Sequence, residues 1–138
     1  MLDRFLRAGP FLVILFFFSC ASAMHTRQSQ PQKTVLAIGQ SVTVPNTKVT
    51  VSFQEVVEDS RCPTGVTCIW AGDAAVKIGI KTADGSASSY TLHTDAQSGR
   101  AAEHEGYRVE LLTVTPHPTG DTPPRRQDYR ITLSVERK

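Results

Sequence analysis

Aromatic side chains are scarce in this chain of 138 residues, at 7% of the total, and they are unevenly spread. Phe5, Phe11, Phe16, Phe17 and Phe18 all precede residue 19, which leaves Phe53 as the only later phenylalanine. Long hydrophobic runs are also missing. Phe11 to Phe18 is eight residues, and a membrane-spanning helix needs about 20, so an anchor helix is not the expected reading. Charge of one sign is absent: 15 basic and 13 acidic residues give +2, which becomes +1 without Arg4, Arg7 and Asp3. A nucleic-acid partner is not expected, because such partners need a basic face, and the adjacent basic pair Arg125-Arg126 sits in a loop with Asp121 and Asp128 nearby. There is no G-x-S-x-G, P-loop or dinucleotide fingerprint, and Glu58-Asp59 and Glu103/Glu105 read as solvated charge. No enzyme activity and no cofactor are therefore expected. Histidine is rare too: His25, His93, His104 and His117 include no pair at ligand spacing. The metal candidates are His93 and His104, which with Asp95, Glu103 and Glu105 would converge only if their connection folds back.

What is present begins with an export signal. Arg4 and Arg7 precede the apolar run, and Ser19-Cys20-Ala21-Ser22-Ala23 follows it with small residues, the order of a bacterial signal peptide over residues 1–23. Two processing routes remain open. Phe17-Phe18-Ser19-Cys20 resembles a lipobox, departing from it at Phe17 where leucine is usual, and implies lipidation of Cys20. Ala21-Ser22-Ala23 is an A-x-A site that would release a soluble chain starting at Met24. Residues 24–33 are polar and contain Pro31 and three glutamines, which suits a flexible tether between a lipid and a folded domain. The lipoprotein route implies attachment to a membrane, the outer one where two exist, since Ala21 rather than Asp follows the cysteine.

Three cysteines are an odd number for an exported chain. Either route removes the oddity: Cys20 is modified or discarded, and Cys62 and Cys68 remain as a pair in an oxidising compartment. The spacing C-x5-C matches neither a zinc nor a thioredoxin-like motif, so a disulfide is expected. Closing seven residues contributes about 2 to 2.5 kcal/mol.

From Thr34 onward the hydrophobic period is two. Tyr129, Ile131, Leu133 and Val135 alternate with polar residues, as do Ala74, Val76, Ile78 and Ile80, and Val49, Val51 and Phe53. Tyr107, Val109 and Leu111 begin another run whose phase switches at Leu112 and Val114, as a bulge or a strand buried on both faces would allow. Pro45-Asn46-Thr47, Asp84-Gly85 and the proline-rich segment 116–124 punctuate these runs. Only 95–105 has room for a turn or two of helix. The pattern predicts an all-β fold: one antiparallel β-sandwich of about seven strands over 34–138, with one internal disulfide.

The segment 58–73 is the most distinctive. Its string D-S-R-C-P-x-x-V-x-C-x-W-A-G, from Asp59 to Gly72, resembles one found in small exported bacterial proteins, many of them lipoproteins. The resemblance extends loosely over the later strands and implies export, but no reaction. Physically, Pro63 and Gly65 favour a turn and the disulfide pins both ends. Trp70, in phase with Ala74, Val76 and Ile78 if pairing is regular, is expected to cover the disulfide and close the core. Arg61 beside Asp59 suggests a surface ion pair worth at most about 1 kcal/mol. A second reading treats Arg61, Pro63, Thr64, Gly65, Val66 and Trp70 as a pre-organised binding loop. The expected function is that of an exported envelope lipoprotein with a structural or binding role and a possible envelope protein as partner. The alternative is a soluble secreted inhibitor or ligand-binding module that uses the Cys62 to Cys68 loop as its contact surface.

Overall fold

A computed structural model describes residues 30–138; Cys20, the signal segment and tether residues 24–29 lie outside that range. Strands β1 (Gln32–Ala37), β2 (Ser41–Thr43), β3 (Val49–Asp59), β4 (Ala74–Thr82), β5 (Ala87–His93), β6 (Ala101–His104), β7 (Tyr107–Thr115) and β8 (Arg130–Arg137) follow in chain order. They form two antiparallel four-stranded sheets, β1-β8-β7-β6 and β2-β3-β4-β5. The fold is an all-β sandwich with the Cys62–Cys68 disulfide formed.

Each long strand buries alternate side chains, because successive residues of a pleated strand face opposite sides. Ile131, Leu133 and Val135 of β8 meet Val76, Ile78 and Ile80 of β4 and Val49, Val51 and Phe53 of β3 in one core. The phase switch in β7 is a bulge: pairing with β8 shifts between Leu111 and Thr113, so Leu111 and Val114 both point inward. β3 contains two further shifts, at Phe53/Glu55 and Val56/Glu58.

Two expectations change. The segment 95–105 forms a turn and then β6, an eighth strand that pairs His104 with Tyr107 across a tight turn. Glu105 and Gly106 both have positive φ, 46° and 76°, as such two-residue turns require. Its inward residues, Ala102 and His104, are too small or too polar to display an apolar alternation. The first strand starts at Gln32, two residues before the expected domain boundary.

Trp70 does not close the core; it is 80% exposed. Regular pairing of β4 begins only at Ala74. Gly72 intervenes with φ +69°, a left-handed turn that breaks the alternation on which the inward placement of Trp70 depended. Phe53 and Tyr129 are the buried aromatics instead.

Register fixes the two poles of the sandwich. Gln32 lies across from Val135, whereas Ala37 lies across from Arg130, which itself pairs with Thr115 at the end of β7. The chain therefore enters β1 at the pole opposite the loop joining β3 to β4. Phe53→Ala should cost about 3–5 kcal/mol in denaturant unfolding, and Trp70→Ala less than about 0.5 kcal/mol; a large loss for Trp70→Ala would contradict its exposed placement.

Candidate functional site

At the loop pole, Asp59 and Arg61 stand two residues apart, so their side chains leave the chain on the same side. The pair is buried, with side-chain exposures of 7% and 8%. Arg61 Nε donates to Asp59 Oδ1 at 2.7 Å and Nη2 to Oδ2 at 2.6 Å, a bidentate geometry. Arg61 also donates to the carbonyls of Val114 at 2.6 Å and Pro116 at 2.9 Å. The Tyr129 hydroxyl donates to Asp59 Oδ2 at 2.8 Å. The cluster thus joins the end of β3 to the end of β7, in the other sheet, and to the residue preceding β8. The expected surface ion pair is a buried inter-sheet tie. Replacing one member of such a pair strands a buried charge and typically costs about 3–5 kcal/mol.

Burial raises the Asp59 pKa, but the hydrogen bonds from Arg61 and Tyr129 and the Arg61 charge outweigh it, leaving the carboxyl below its ordinary value. Burial and the bond to Asp59 push the Tyr129 hydroxyl up to about 12.

Beyond this base the chain continues as a narrow hairpin. Ser60 N donates to Asp73 O and Cys62 N to Ala71 O, at 2.7 and 2.9 Å. Gly72 is required here for a second reason: a Cβ on it would lie 1.8 Å from the Ser60 carbonyl oxygen. The far side of the hairpin rests on the proline-rich segment. Thr64 N donates to Pro118 O, Gly120 N to Thr64 O, and the His117 ring nitrogen Nε2 to Cys62 O at 2.7 Å.

The predicted loop residues divide accordingly. Arg61 is buried below the loop, its guanidinium committed to Asp59 and two carbonyls. Pro63 and Thr64 face the 117–120 segment, while Gly65, at φ +83°, turns the chain outward. Val66, Ile69 and Trp70 are exposed by 46%, 91% and 80%. Ile69 is a contact candidate that sequence reasoning passed over; a large aliphatic beside a tryptophan in a closed loop is its only signal.

The histidines do not converge. His93 donates through Nδ1 to Asp73 Oδ2 at 2.6 Å, at the loop pole. Burial raises the pKa of Asp73, but the bonds from His93, the Asp95 amide and Thr94 lower it further, so Asp73 acts as an ionised acceptor. His104 is buried near the opposite pole between the Tyr90 hydroxyl and Ser86 Oγ, at 3.0 and 3.2 Å. Among the described residues no group of three His, Cys, Asp or Glu side chains is placed to hold a metal ion.

A groove of about 620 Å³ opens beside the loop. Val56 to Asp59, Arg61, Pro123, Pro124, Arg126 and Tyr129 are among the residues that line it. No family model, curated protein or solved structure matches the chain.

Gly72→Ala combines a left-handed φ with a backbone clash, and unfolding should show a loss above about 3 kcal/mol, beyond the strain of the φ alone. The tie also predicts pH dependence. Because the folded Asp59 pKa is lowered, its contribution is complete above the ordinary carboxylate value of 3.8 and is lost as pH falls through the folded value. Because the folded Tyr129 pKa is raised, its contribution is complete below 10.0 and is lost as pH rises toward about 12. Unfolding midpoints measured against pH should show both losses, with Asp59→Asn flattening the acid limb and Tyr129→Phe the alkaline one.

Proposed function

We propose that this chain is an exported envelope lipoprotein that works as a binding module, contacting a partner through the tip of the Cys62–Cys68 loop. The observation that carries this reading is the exposure of Ile69 and Trp70 on a loop held from below by buried contacts. Two large apolar side chains in water contribute nothing to the core, and tryptophan is among the residues that most often anchor interfaces. The disulfide, the docked Thr64 backbone and the Asp59/Arg61 pair hold the tip in one shape, so little conformational entropy remains to be lost on association.

The polarity of the sandwich supports the same reading. The chain enters the fold at one pole and the loop projects from the other. A lipid on Cys20, joined through the polar residues before Gln32, would leave the loop facing away from the membrane. A disulfide suits an oxidising compartment such as the periplasm or the extracellular space. Cleavage after Ala23 would present the same surface on a soluble secreted inhibitor or ligand-binding module.

Metabolic palmitate labelling should mark the protein and disappear in Cys20→Ala; an unlabelled chain beginning at Met24 selects the soluble form instead. A photo-crosslinking amino acid at position 69, in living cells, should give one discrete protein adduct that Trp70→Ser abolishes while the unfolding midpoint stays put. No adduct, or one indifferent to Trp70→Ser, removes the loop-tip reading.

A further inference from the structure

We propose that the Cys62–Cys68 bond is a reducible clasp on the loop tip, opened by a dithiol that attacks Cys68. The two cysteines stand in unlike places. Cys62 is half-buried and its backbone is bonded on both sides, with its N–H donating to Ala71 O and its carbonyl accepting from His117 Nε2 at 2.7 Å. The chain after it docks as well, since Thr64 N donates to Pro118 O and Gly120 N to Thr64 O. Cys68 is exposed. Among the described residues none forms a hydrogen bond with Thr67, Ile69 or Trp70, so the disulfide is what ties this arm of the loop to the docked Cys62 arm.

The bond therefore controls the tip and not the sandwich. No residue from Ser60 to Asp73 belongs to the hydrophobic core, so opening it uncovers none of the side chains that hold the sheets together. The bonds from Ser60 to Asp73 and from Cys62 to Ala71 still close the base of the loop. Between them, residues 65–70 lose the ring closure that confines them and regain backbone freedom. Ile69 and Trp70 follow Cys68 directly and lose their one fixed neighbour.

Exchange at a disulfide depends on access to the sulfur that is attacked, which favours the exposed Cys68 over the half-buried Cys62. One thiolate of the dithiol bonds to Cys68 Sγ, the bond between the two protein sulfurs breaks, and Cys62 leaves as a thiolate that takes a proton from water. The second thiol of the reductant then displaces Cys68 from the mixed disulfide. Two electrons pass to the protein, which gains two thiols, and the dithiol departs as a disulfide. The consequence for a partner rests on the loop-tip reading above, because a tip that is no longer pre-organised must give up conformational entropy to bind. The clasp itself does not rest on it.

Trp70 is the one tryptophan of the chain, so its fluorescence reads the tip directly. Dithiothreitol added to the purified exported chain should reduce the bond without denaturant and lower the Trp70 anisotropy, while amides of 49–53 and 76–80 keep their slow hydrogen exchange. Brief exposure to glutathione, quenched with iodoacetamide and mapped by peptide mass, should leave glutathione predominantly on Cys68. The double variant Cys62→Ser, Cys68→Ser should show the low anisotropy with no reductant present, and should lose most of the adduct formed by a photo-crosslinking residue at position 69. The clasp is overturned by a bond that resists dithiothreitol in the folded chain, by glutathione found on Cys62 instead, by unchanged anisotropy after reduction, or by fast exchange of the core amides, which would make the disulfide a staple of the fold. An adduct that survives in the double variant after anisotropy has fallen supports the clasp and places the fault in the loop-tip reading.

Discussion

The bidentate pair between Asp59 and Arg61 is the contact on which the loop pole depends. Two charges removed from water are expensive, and their attraction repays that cost only where the remaining hydrogen-bond sites are also filled. Here they are. Asp59 accepts from the Arg61 side chain, the Arg61 amide and the Tyr129 hydroxyl, and Arg61 spends its other donors on the Val114 and Pro116 carbonyls. A hydrophobic pair of similar size would not reach carbonyls on the opposite sheet. The ionic cluster fixes the position of β3 relative to β7 and β8 at the loop pole, beside the backbone bonds of Thr64 to Pro118 and Gly120.

That fixed base divides the loop into two parts with different physics. Its lower part, from Ser60 to Cys62 and from Ala71 to Asp73, is a hydrogen-bonded hairpin whose two chains approach so closely that only glycine fits at position 72. Its upper part rests on Pro118 and turns Val66, Ile69 and Trp70 to solvent. Clamp and display surface are therefore not competing descriptions of one segment. Rigidity below gives a fixed geometry above, and the residues of the same tie line the adjoining groove.

The strands β3, β4, β7 and β8 were legible because alternation of apolar and polar residues is a local signal that burial of one sheet face enforces. The bulge in β7 was legible for the same reason, as a change of phase at Leu112. β6 was hidden because Ala102 and His104 carry no apolar signature, and its existence depends on the turn at Glu105-Gly106. Trp70 misled because the phase argument presumes an unbroken strand, and one left-handed residue between it and β4 is enough to reverse its placement. The Asp59/Arg61 pair was visible as a pair, but its burial was not, since the groups that enclose it come from Val114, Pro116 and Tyr129, more than 50 residues away.

The amino-acid sequence by itself determined the class of fold, most of the strands and the pairing of Cys62 with Cys68, because these rest on local periodicity and on cysteines six positions apart. Tertiary structure alone decided which charged and aromatic residues are buried. Burial of a side chain at the end of a strand is set by what arrives from the opposite sheet, and that depends on bulges, turns and register accumulated along the chain. The scarcity of aromatics takes on a different meaning in consequence: with Phe53 and Tyr129 inside, Trp70 is left for the surface.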